Sequence, residues 1–250
     1  MKFLLRIQYL GTNFCGWQYQ PGVRTVQKTL TDAASALFGT PCRITGCSRT
    51  DSGVHALDFA AALEVPPGAN AIPAEKIPAA LSVRLPHDVA VKSAAQVCED
   101  FHPRYDAVGK EYLYRVYTAA IADPFLYGRV WHLPGGWAAD AAERMDRCAG
   151  VLIGRHDFAS FMASGSKITD TVRTVNRCAV RCSGDLLEIC VSADGFLYNM
   201  VRIIAGTLTM AGFGKLDVQG MDEILKARDR TAAGVTAPPE GLYLNAVFYG

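Results

Sequence analysis

An α+β fold built from two copies of one unit, strand-helix-strand-strand-helix-strand, is what this sequence predicts. Three observations carry the prediction. Segments with a two-residue hydrophobic period alternate with segments of helical period, Gly and Pro mark the boundaries between them, and the order of elements in residues 1–105 recurs in residues 106–250.

The elements follow in turn. Residues 2–10 are rich in β-forming and aliphatic side chains and read as a strand. A loop over 11–24 holds Gly11, Gly16, Pro21 and Gly22. Thr25 then caps a helix whose Val26, Leu30, Ala34 and Leu37 share a face, and Gly39 stops it. Residues 42–47 form a short strand, a polar loop follows, and 56–65 is an apolar strand broken by Pro66, Pro67 and Gly68. Pro73 suits the first turn of a helix reaching residue 83, and 89–97 is a fourth strand. In the second half, 110–118 is a strand with Tyr112, Tyr114 and Val116 on one face. Residues 140–152 are a helix, 174–182 and 186–193 a strand pair hinged at 183–185, 198–210 a helix, 221–228 a shorter one, and 242–249 the last strand. Each half is a ferredoxin-like unit: 1–105 carries the polar loop around Asp51, and 106–250 carries Tyr112 and Arg202.

Composition narrows the function classes. The chain has 250 residues, half of them apolar and a fifth charged, which excludes disordered, collagen-like and low-complexity readings. The formal net charge of +1 makes no whole-molecule case for an anionic partner, so a nucleic-acid site has to be a local patch. Lys2 and Arg6 interrupt a short apolar N-terminus, which argues against a membrane span or an export signal. Eight cysteines without a C-x-x-C pair read as reduced thiols in a cytoplasmic protein, not as a zinc site or a disulfide framework.

Four features are candidates for chemistry. In Arg49-Thr50-Asp51-Ser52-Gly53-Val54-His55 a carboxylate sits among hydrogen-bond donors on a loop between strands, available as nucleophile or base. The same tripeptide also reads as an Asx-turn, and Asp-Ser-Gly raises an aspartic hydrolase. A second such triplet is missing, and Arg49 would oppose a proton shared between carboxylates. Residues 1–50 hold Lys2, Arg6, Arg24, Lys28, Arg43 and Arg49 against Asp32 alone, interleaved with Phe14, Trp17 and Tyr19. Residues 165–182 hold Lys167, Arg173, Arg177 and Arg181 against Asp170. Cations beside aromatics suit phosphate contact and base stacking, and a solvated face over a loop anchor has the same pattern. Arg202 lies among Met200, Val201, Ile203 and Ile204, where a guanidinium needs a partner: any acid, or Asp51 itself.

Taken together, these segments resemble the tRNA pseudouridine synthase A family nearly end to end. The resemblance rests on Gly11-Thr12 with Phe14-Cys15-Gly16-Trp17-Gln18, Arg49-Thr50-Asp51-Ser52-Gly53-Val54-His55-Ala56, Lys110-Glu111-Tyr112-Leu113-Tyr114, Asp157-Phe158-Ala159-Ser160-Phe161, Asn199-Met200-Val201-Arg202 and Glu240-Gly241-Leu242-Tyr243-Leu244. It implies isomerisation of uridine to pseudouridine at positions 38, 39 and 40 of the tRNA anticodon stem-loop, without cofactor or catalytic metal. By motif position Asp51 is the catalytic residue, Arg202 its basic partner, Tyr112 the ring that stacks on the target uracil, and Arg49 the group that helps hold the flipped-out nucleotide. The family's architecture, two ferredoxin-like halves with a joint mixed, mostly antiparallel sheet and a central cleft, agrees with the repeat. Members resemble homodimers in which each tRNA touches both chains. Two positions depart from the pattern: Ser48 where Gly is usual and Leu10 where Asp is common. A non-catalytic RNA-binding protein on the same scaffold is the alternative.

Overall fold

The computed structural model describes residues 1–166 and 168–250, so Lys167 of the second basic run lies outside the described residues. The chain divides into two compact units, Met1–Val108 with Tyr243–Gly250, and Gly109–Leu242.

In the first unit β1 (Lys2–Tyr9) alternates strictly, burying Phe3, Leu5, Ile7 and Tyr9 on one face. Helix α1 (Val26–Phe38) starts where Thr25 Oγ1 accepts the Lys28 N–H and ends at Gly39, whose φ of 70° is the left-handed stop that glycine provides. It buries Val26, Leu30, Ala33, Ala34 and Phe38. Strands β2 (Arg43–Gly46) and β3 (His55–Glu64) pair antiparallel, as do β1 with β3 and β1 with β4 (Val89–Val97). The strand order β4-β1-β3-β2 is that of the predicted unit. The helix expected over 73–83 is divided: a 3₁₀ turn at Ala74–Lys76 leads into α2 (Ile77–Ser82), with Pro78 in the first turn, where its missing N–H costs nothing.

The second unit holds β5 (Ala107–Tyr117), β6 (Trp131–His132), α3 (Ala141–Gly150), β7 (Gly154–Asp157), β8 (Val172–Ser183), β9 (Leu186–Ala193), α4 (Met200–Gly212) and α5 (Val218–Ala227). Its strands run β5-β9-β8-β7, each pair antiparallel, with β6 parallel to the end of β5. All of α4 except Arg202 and Met210 is buried, which explains a sequence apolar all round.

Strand β10 (Leu242–Tyr249) pairs in parallel with β3, Tyr243 opposite His55 and Leu244 opposite Ala56. Residues 243–250 therefore fall in the first unit, whereas the repeat in the sequence places them in the second half. Periodicity identifies a strand but not its neighbour.

Candidate active site

In the first unit the loop of Asp51 is held from both sides. Tyr9 and Thr50 share a buried hydroxyl–hydroxyl bond of 2.8 Å, and the Trp17 N–H donates to the Thr50 carbonyl at 3.1 Å. On the far side of the carboxylate the Gly53 N–H and the Ser52 hydroxyl both donate to the Phe14 carbonyl, at 3.3 and 3.2 Å. The Val54 N–H donates to the Asp51 carbonyl at 3.2 Å, closing a turn whose third residue, Gly53, has φ +81°. Gly16, at φ +82°, lies so near that a Cβ would come 2.6 Å from the Thr50 oxygen. The two loops thus lie against each other with no room for a side chain at Gly16, and Asp51 is half-buried where they meet.

The loop's base is aromatic. The Trp17 ring stacks on Phe59 at 4.0 Å and Tyr9 flanks both. His55, 1% exposed, accepts the Gly11 N–H on Nδ1 at 2.9 Å, which leaves Nε2 to carry the ring proton, and its ring stacks on Tyr243 at 4.6 Å. Arg49 projects from the same loop and is exposed. Ser48 has no positive φ, so the departure from glycine is accommodated without backbone strain.

Tyr112 and Arg202 belong to the second unit. Tyr112, on β5 opposite Val191, is 8% exposed, with its ring held edge-on to Phe196 at 4.9 Å. Arg202 projects from α4; its Nε donates to the Ala237 carbonyl at 2.7 Å and its Nη1 to Asn199 Oδ1 at 2.9 Å. The Ala237 N–H returns a bond to the Arg202 carbonyl at 3.1 Å. Asn199 stands at the head of α4 with φ 59°, a conformation that Asn tolerates better than most residues.

Sequence reasoning did not single out Tyr114, two places along β5. It is fully buried, its hydroxyl donates to the Pro238 carbonyl at 2.7 Å, and Gly241 lies against its ring. Burial holds the phenol well above the usual tyrosine range; the charge of Glu240 adds to that and Arg202 opposes it. Its place on the buried face of β5, together with the Glu240-Gly241 motif, was the available signal.

The basic runs look different once folded. Lys2, Arg6, Arg24 and Lys28 face Glu64, Asp58, Asp88 and Asp32, at 3.7, 3.4, 2.7 and 2.5 Å. Among the described residues, Arg43 and Arg49 have no such partner. Phe14 and Trp17, read as platforms for bases, are 2% and 3% exposed and belong to the core; Tyr19 alone of the three is exposed. In the second run Arg177 faces Glu111 and Arg173 bonds the carbonyls of Asp170 and Val172. No group of three His, Cys, Asp or Glu able to hold a metal ion occurs among the described residues.

Residues 6–106 and 149–250 match the sequence family described as tRNA pseudouridine synthase. The tRNA pseudouridine synthase A of Thermoanaerobacter sp. (strain X514) is 43% identical over 98% of both chains. That of Ruminiclostridium cellulolyticum is 42% identical over 99% of both, and the tRNA pseudouridine synthase A 2 of Clostridium tetani is 37% identical over 98% of this chain and 97% of its own. A chain of the solved Cbf5-Nop10-Gar1 complex aligns at a TM-score of 0.35 and 11% identity, covering 82% of this chain and 53% of that one, too loosely to carry weight.

Proposed function

The chain belongs to the tRNA pseudouridine synthase family, and from that premise we propose that it isomerises uridine at positions 38, 39 and 40 of the tRNA anticodon stem-loop, with Asp51 as the catalytic residue. Isomerisation of a tRNA uridine comes with the family; the positions and the residue roles are the proposal. The observation that supports it best is a half-buried carboxylate on a turn bonded to Phe14, beside a Thr50 held by Tyr9 and Trp17.

The reaction breaks N1–C1′ and joins C5 to C1′. C5 loses a proton, N1 gains one, and nothing is consumed. Catalysis then asks for an ionised carboxylate, whether it attacks C1′ or removes the 2′ proton, and for a setting in which the detached uracil turns without escaping. A fixed loop serves both needs, since a carboxylate that wanders loses its alignment. A uracil in the stem must first leave its stack, at a cost of a few kcal/mol. Tyr112, whose ring is already oriented by Phe196, offsets part of that by stacking on the uracil, worth about 1–3 kcal/mol. Arg49, long, exposed and without an ion-pair partner among the described residues, holds the flipped-out nucleotide. Arg202 is the basic partner of the carboxylate. The working particle in this reading is a cytoplasmic homodimer.

The test is site-resolved pseudouridine mapping on an unmodified tRNA transcript, read by primer extension after adduct formation. Signal at 38–40 is expected with the wild-type protein, none with Asp51→Asn, and none on a transcript lacking those uridines, while Asp51→Asn still binds tRNA. Turnover by Asp51→Asn would remove Asp51 from the chemistry. Tight binding without signal by the folded wild-type protein would make it an RNA-binding module.

A further inference from the structure

Beside the Asp51 loop, wholly within the first unit, lies a polar hollow. A pocket of about 220 Å³ is walled by Arg49, Arg104, His102 and Tyr105 over a floor that includes Trp17 and Gln27. Its floor is fixed: Gln27 donates to the Ile44 carbonyl and accepts the Tyr19 N–H, both at 2.8 Å. Trp17 is clamped between Phe59 and the backbone of Gly46, where a Cβ would come 2.5 Å from the indole. The wall is fixed as well. His102 Nδ1 accepts the N–H groups of Arg104 and Tyr105 at 3.2 and 3.3 Å, so Nε2 carries the ring proton. Asp106 closes the same turn, its carboxylate accepting the His102 N–H at 2.9 Å and its N–H returning to the His102 carbonyl at 3.1 Å.

That small turn displays more than it needs for its own stability. The Tyr105 ring stacks on the His102 imidazole at 4.3 Å, and Tyr105 is 76% exposed. Among the described residues neither Arg49 nor Arg104 has a side-chain hydrogen bond or an ion pair, although four other cations of this unit each face a carboxylate. Two uncompensated guanidinium groups, an imidazole N–H and an aromatic face at one small pocket match an anionic phosphodiester with a base attached.

We propose that this pocket is a subsite for an unpaired nucleotide next to the flipped-out uridine, with Arg104 on its phosphodiester, Arg49 on the phosphate that joins it to the uridine, and Tyr105 stacked on its base. The inference rests on the Asp51 reading above. Arg49 and Asp51 are two residues apart, so their Cα atoms lie within about 7 Å, and the bound nucleotide is a near neighbour of the target uridine along the strand.

The experiment measures steady-state pseudouridine formation on an anticodon stem-loop RNA and on a series in which one loop nucleotide at a time is abasic. Tyr105→Ala is expected to raise KM about tenfold with kcat nearly unchanged. Tyr105→Phe retains the ring and restores KM, and neither variant shifts the thermal midpoint. At one abasic position the wild-type KM rises by a similar factor and Tyr105→Ala adds nothing further, which identifies the nucleotide. Arg104→Gln lowers the salt dependence of binding by about one counterion. An unchanged KM for Tyr105→Ala, or abasic penalties that multiply with it at every position, overturns the subsite. Inhibition by inorganic phosphate that Arg104→Gln relieves, without coupling to any abasic position, makes the pocket a plain anion site and also overturns it. None of these outcomes touches the Asp51 reading, which stands or falls with Asp51→Asn.

Discussion

At Gly11 the backbone runs so close to the Asp51 loop that a Cβ would come 2.0 Å from the Val54 carbonyl oxygen, while the Gly11 N–H is engaged by His55. Gly11→Ala must therefore displace main chain rather than a pliant side chain. We expect it to lower stability by about 1–3 kcal/mol in urea denaturation and to slow turnover further than that loss explains; an unchanged midpoint would mean that the two loops yield freely. The proposed stacking of Tyr112 on the uracil needs only its ring, so Tyr112→Phe is expected to keep most of kcat/KM and Tyr112→Ala to lose about 10- to 100-fold. Equal losses in both would move the role to the hydroxyl. At this scale the sequence marks Asp51 and Arg49 by their immediate neighbours. It leaves unmarked the side chains that hold them, because Tyr9 meets Thr50, and Gly11 meets His55, only across more than forty residues. Interleaving of aromatics with cations misled for a similar reason: adjacency in sequence does not say which side of the backbone faces water, and Phe14 and Trp17 point inward.

Among the elements, the segment 11–24 is tied to the start of β4 by a two-pronged bond from Arg24 to Asp88, both contacts 2.7 Å, with the guanidinium 4.0 Å over the Phe14 ring. Asp88 is buried and Arg24 is partly exposed, so after Asp88→Ala the released arginine reaches water. The expected cost is about 1–2 kcal/mol, together with faster trypsin cleavage after Arg24; an unaltered cleavage rate would show that Phe14 and Trp17 hold the segment alone. Helix α1 and strands β4, β9 and β10 were legible to within a residue because a cap, a glycine stop or a clean alternation bounds each. Strands β6 and β7, two and four residues long, are too short for any alternation to register. They exist because β5 and β8 offer them an edge.

For the molecule as a whole, charge is arranged by folding rather than by local sequence. Asp58 and Glu64 on β3 and Asp88 in the turn before β4 come to the cations of residues 1–50, so a patch that looked strongly basic is largely neutralised, and among the described residues Arg43 and Arg49 are its two cations without an ion-pair partner. The thiols report burial in the same way. Burial is the main cause that pushes Cys178 up to about 12 and Cys190 up to about 11, from an ordinary thiol value near 9. A thiol raised in the folded state favours folding below the ordinary value, and that contribution is lost as pH climbs through the raised one. Urea midpoints are therefore expected to decline from about pH 9 upward; a flat profile to pH 11 would contradict it. At neutral pH, alkylation should reach Cys15, Cys98 and Cys182 in the native protein and Cys178 only after unfolding.

Strand β10 has one more consequence, and it concerns time. Translation delivers residues 1–108 long before 243–250, yet β10 lines the edge of β3 beside His55, the Arg6 guanidinium bonds the Val247 carbonyl, and the Tyr249 hydroxyl bonds Pro103. A nascent polypeptide halted at residue 242 would carry the Asp51 loop with one of its supporting strands still unmade. A chain interrupted there is expected to hold the Asp51 loop less firmly, because Tyr243, whose ring stacks on His55, arrives only with β10.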